Sequence, residues 1–108
     1  MKIINLTGNN IAVRVNNEDI YIPSEQPALR VDVTHSTTFL ENGAKIKIRT
    51  FYGSVDLPEE QEGVYYLVNT LPADHPDLRV RKDILIPRGA IKDANGRVVS
   101  CKELFTTR

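Results

Sequence analysis

The chain has 108 residues, 41% apolar and 26% charged, which is one domain's worth of sequence with enough apolar content to bury a core. Its 14 basic and 14 acidic residues cancel, so no global field draws the protein onto nucleic acid or an anionic membrane. The single cysteine excludes an intrachain disulfide and a multi-cysteine zinc site and fits a reducing, cytoplasmic setting, and no segment reaches the roughly 20 apolar residues of a membrane span.

Period-two alternation dominates from the start. In IAVRV, Ile11, Val13 and Val15 oppose Ala12 and Arg14, and in IYI the pair Ile20 and Ile22 opposes Tyr21. Between them the asparagine-rich connection predicts a hairpin turn, because Asn tolerates positive φ and bonds its own backbone. LRVDV (29–33) and KIKIRT (45–50) repeat the pattern, with STTFL as a weaker strand and Asn42-Gly43 as a hairpin signal.

LPEEQEG reads as a solvated loop, and VYYLV, apolar on both faces, as a central strand covered on both sides. In NTLPADHPD, Asn69 or Thr70 can cap a helix, but Pro72 and Pro76 leave room for about one turn. DILIP is a short strand ending at Pro87. The C-terminal KDANGRVVSC is a hairpin with a type I′ turn at Asn95-Gly96, Val98 and Cys101 on opposite faces, and Cys101 as a packing residue. The expectation is a single domain over residues 1–108, mainly β with little helix: a small barrel or sandwich of about seven or eight short antiparallel strands.

Catalytic patterns are missing. His35 and His75 have no metal-ligand spacing and read as surface residues, and none of the four serines sits in a nucleophile elbow. Glycines form neither a dinucleotide fingerprint nor a phosphate loop, so no cofactor or metal is expected. The densest polar cluster is DLRVRKD. There Arg79 and Arg81 share a face if the segment is a strand, as two guanidinium forks for a phosphate or carboxylate or as members of a surface ion-pair network with Asp77 and Asp83.

Taken in order, INLT, ALRV, YGSVDLP, EGVYYLV, RKD and KDANGRVVSC resemble a family of small uncharacterised proteins of phages, prophages and bacteria. That family opens Asn-Leu-Thr-Pro-His, continues Gly-x-Val-x-Gly-Leu-Pro and Tyr-Ile-Val-Ser, and ends Asp-x-x-Gly-Arg-Ile-Ile-Gly-Cys. The resemblance spans nearly the whole chain and rests on order and spacing. Here Gly8-Asn9 replaces Pro-His, Asp56 replaces Gly, Asn69 replaces Ser, Ser100 replaces Gly, and proline-interrupted TLPADHP stands where the family continues into a helix. Asn9 cannot transfer a proton as His would. The polar positions that carry over are Asn5, Thr7, Arg30, Asn69, Arg81, Asp83, Asp93 and Arg97.

The resemblance implies a phage-type binding protein without catalysis, located in the host cytoplasm if phage-encoded. Its expected ligand is a phosphate-containing small molecule, a cyclic nucleotide or ADP-ribose derivative, sequestered as an immune signal in an anti-defence role. Phosphate would be held by Arg30, Arg81 and Arg97, with Tyr66 or Tyr65 stacking on a base and Asn69 and Asp83 completing the site. The alternative is a protein–protein interaction or structural module that binds a host or virion protein, or assembles through β-edge pairing into a homo-oligomer.

Overall fold

The computed structural model describes residues 1–24 and 27–106. Eight strands and two four-residue helices follow one another as β1 (Lys2–Asn5), β2 (Ile11–Val15), β3 (Glu18–Ile22), β4 (Asp32–Phe39), β5 (Lys45–Tyr52), β6 (Val64–Leu67), α1 (Thr70–Ala73), α2 (Pro76–Arg79), β7 (Ile84–Lys92) and β8 (Val98–Thr106). Six of the strands form a nearly closed, barrel-like sheet in the order β1-β6-β7-β8-β2-β3, and β4 and β5 form a separate two-stranded sheet. The mainly β class and the strand number agree with the alternation in the sequence.

The ladder is mixed, however, and not antiparallel throughout. β2–β3, β4–β5 and β7–β8 are antiparallel hairpins, whereas β1–β6, β6–β7 and β2–β8 run parallel. The two helices carry the chain back from the end of β6 to the start of β7, a crossover that makes these neighbours parallel. Period-two alternation is the same in both ladder types, so long-range pairing leaves no trace in it.

Three local expectations also change. LRVDV becomes a strand only from Asp32 onward: Leu29 donates its amide to Leu6 O at 2.8 Å and packs on the core, so its apolar rhythm reflects covering the barrel. The last strand pair does not stop at Pro87. By Pro87 β6 has ended, so β7 has a partner on one side only, the edge setting a proline tolerates. At Asn95-Gly96 only Gly96 has positive φ (+79°), and Asp93 N–H donates to Arg97 O at 2.9 Å across a three-residue loop, a type I turn closed by a left-handed glycine. The type I′ geometry belongs to Asn16-Asn17, where φ is +52° and +66°.

The core gathers on β6. Tyr66 and Val68 pack with Leu6, Ala73, Leu78 and Ile84, and Ile4, Leu29, Val55, Leu57, Val64 and Ile86 close over them. Sandwiched between β1 and β7, β6 is covered on both sides as its apolar sequence demands.

The β4–β5 hairpin stands apart from this core. It is anchored at its root, where the Phe51 ring meets the His75 ring edge-on at 5.4 Å and Arg49 pairs with Asp74 at 3.0 Å. His75 is 2% exposed and not a surface residue. Its Nδ1 accepts from Asp77 N–H at 3.0 Å as the cap of α2, which leaves Nε2–H to donate to Gly53 O at 3.1 Å. A radius of gyration of 16.4 Å, against about 13 Å for a compact chain of this length, records how far the hairpin arms extend.

Candidate functional site

The expected site residues fall into separate places. Arg81 and Asp83 meet in a two-pronged pair, Nε to Oδ1 at 2.9 Å and a terminal nitrogen to Oδ2 at 2.6 Å. The same guanidinium donates to Pro58 O at 2.7 Å and lies 5.6 Å above the Tyr66 ring. Hydrogen bonding to Asp83 raises the Arg81 pKa further above its ordinary value. Asp83 thereby neutralises the arginine expected to hold phosphate, and the adjacent cavity of about 280 Å³ is rimmed by Glu60 and Glu62, which repel an anion. Tyr66 is buried beneath this pair and offers no face to a base, while Tyr65 lines the same acidic cavity. Arg79 lies in α2 and Arg81 beyond it, so the two do not share a strand face.

Arg30 and Asn69 do come together. They line a groove of about 470 Å³ between the segment 28–32 and the start of α1, with Asp32 on the rim and Leu71 and Pro72 as apolar wall. Asn69 is partly committed, because its Nδ2 donates to Thr7 O at 3.1 Å. Arg30 is exposed and makes no ion pair or side-chain hydrogen bond with the described residues. Arg97 lies in the β7–β8 hairpin loop and joins neither group.

Most polar positions shared with the resembled family hold the fold together. Asn5, fully buried, donates through Nδ2 to Asn9 O at 2.9 Å and Ile22 O at 2.8 Å, and its Oδ1 accepts from the Thr7 amide and hydroxyl at 2.9 and 2.7 Å. This knot ties the end of β1 to the end of β3, the two open edges of the barrel. Asp93 Oδ1 accepts from the amides of Asn95 and Arg97 and fixes the hairpin turn. The spacing Asn-x-Thr is the one sequence signal that pointed to such local side-chain bonding.

Departures from the family pattern have structural counterparts. Gly8 has φ +83°, which proline cannot adopt, and a Cβ there would lie 2.9 Å from Ala28 Cβ. Asn9 contributes through its backbone oxygen, so the side chain at the family's histidine position is not used in the knot. Ser100 bonds Asp19 Oδ1 at 3.0 Å, and Arg14 Nε bonds the same oxygen at 3.0 Å. These bonds, Arg14's first, hold the Asp19 carboxyl below its ordinary pKa. Cys101 is buried next to Ser100 in the wall of a pocket of about 270 Å³, and desolvation pushes its thiol pKa up, away from a reactive thiolate.

Among the described residues no three His, Cys, Asp or Glu side chains are grouped to hold a metal ion, and no helix is long and apolar enough to cross a membrane. No protein-family model, curated protein or solved structure matches the chain.

Proposed function

We propose that the chain is a non-catalytic binding module that works by engaging another polypeptide through exposed β surface. One observation carries this reading. The accessible surface is 7771 Å², against about 6,100 Å² for a folded monomer of 12.2 kDa. The excess, about 1,700 Å², is roughly twice the ~800 Å² that each partner contributes to a standard interface. Large apolar side chains, Tyr21, Phe39 and Val98 among them, lie in that surface. Zero net charge adds no long-range repulsion between such surfaces.

The test is capture by the immobilised protein from extract of its native host, followed by reconstitution from purified components. The expected result is a stoichiometric complex, self-association included, that survives high salt, because apolar burial is not screened. A chain that associates with no polypeptide, itself included, overturns the reading.

A phosphate-containing small molecule, the cyclic nucleotide or ADP-ribose derivative of an anti-defence sponge, is a second reading favoured by one feature: the unpaired Arg30 beside Asn69 in their groove. A ligand at about 100-fold over its dissociation constant adds about 2.7 kcal/mol of apparent stability. A melting-temperature rise with such compounds that Arg30→Ala abolishes supports it; no rise across the panel removes it.

A further inference from the structure

Resting on the polypeptide-binding reading, we propose that the partner is a second copy of this chain, docked face to face on the β4–β5 hairpin. The register divides the hairpin into two unlike faces. On one, Val33, His35 and Thr37 stand opposite Phe51, Arg49 and Lys47, and this charged face is fastened to the body through Phe51 with His75 and Arg49 with Asp74. On the other, Thr34, Ser36 and Thr38 stand opposite Thr50, Ile48 and Ile46, with no charged side chain among them.

That uncharged face has no partner in the chain. β4 and β5 pair only with each other, and Ile48 remains 46% exposed. A two-stranded hairpin alone in water is at best marginally stable and needs a further layer on its apolar face. The face is also self-complementary. Its bulky residues, Ile46 and Ile48, lie on β5 and its small ones, Ser36 and Thr38, on β4. A two-fold axis running along the hairpin between its strands sets the large row of one copy over the small row of the other, as an isologous contact requires. Phe39 and Leu40 at the tip, both exposed, extend the contact beyond the strands. The surface excess of the chain is large enough to supply an interface of standard size.

Sedimentation velocity over a dilution series tests this on the full-length protein. The wild type should sediment as a dimer. Ile48→Lys and, independently, Ser36→Arg should each give a monomer with unchanged circular dichroism, whereas Lys47→Glu, on the opposite face, should remain dimeric. A monomeric wild type that still forms a complex with a different polypeptide overturns the second copy and leaves the binding reading standing. A wild type that associates with nothing overturns both. A dimer that persists in Ile48→Lys and Ser36→Arg, or one lost only in Lys47→Glu, overturns the assignment of this face.

Discussion

Arg81 and Asp83, two residues apart, close a bidentate ion pair at 2.9 and 2.6 Å while their side chains remain 15% and 7% exposed. An arginine that the sequence offers for phosphate is held instead by its neighbour, over the ring of Tyr66.

Removing one member of this pair strands the other in a poorly hydrated place. Arg81→Ala should destabilise the protein by about 3 kcal/mol, with the double replacement Arg81→Met, Asp83→Leu recovering most of the loss. Urea unfolding midpoints of the two single variants and the double variant measure it. A midpoint for Arg81→Ala within error of the wild type would show the pair to be energetically idle.

Asn5 satisfies four hydrogen bonds inside the barrel seam. Asn5→Leu, similar in size but without polar atoms, leaves the Ile22 and Asn9 carbonyls and the Thr7 amide without this partner, at a cost of about 3 kcal/mol. Hydrogen exchange should show the loss first in β1 and β3. Uniform loss of protection across the sheet would contradict a seam-specific role.

Asp19 sets part of the acid limb of stability. Its folded-state pKa lies below the ordinary 3.8 because Arg14 and then Ser100 bond the ionised form. Above 3.8 the carboxylate is charged in both folded and unfolded chains and its stabilising contribution is fully present. As pH falls from there through the lower folded value, the unfolded chain takes up the proton first and the contribution is lost. Asp19→Asn should therefore be less stable than the wild type at neutral pH and show a shallower loss of stability below pH 3.8. Parallel acid limbs for the two proteins would sink this account.

Gly89 interrupts β7 with φ +75°, and a Cβ there would sit 3.0 Å from Lys102 Cβ on β8. Gly89→Ala combines a strained backbone with a displaced neighbour and should cost about 2 kcal/mol. Equilibrium unfolding measures it. Gly43, with φ +86° and open space around its Cβ position, separates the two causes, because there only the backbone strain applies.

The strands were legible wherever a local rule decided them. Asn16-Asn17 announced its turn through residues that accept positive φ, and Tyr66, Leu67 and Val68 announced a central strand by being apolar without alternation. Pairing was not legible, since Val13 meets Cys101 across most of the chain and no local pattern encodes such a meeting. The candidate site suffered more. Arg81 reads as a free fork until Asp83 is seen to occupy it, and Tyr66 reads as a stacking ring until the barrel closes around it. His75 went from surface to core because the turn between α1 and α2 needs a cap acceptor, a demand visible only once both helices exist.

The Asn5 bond to Ile22 O has a mechanical meaning as well. Elsewhere around the ring, neighbouring strands share a backbone ladder, but at this junction β1 and β3 share none and one amide side chain bridges the gap. The wall is therefore a cylinder with a latch. Thermal breathing that releases the latch uncovers two strand edges at once without disturbing the core on β6, so the barrel can gape locally at far less cost than global unfolding.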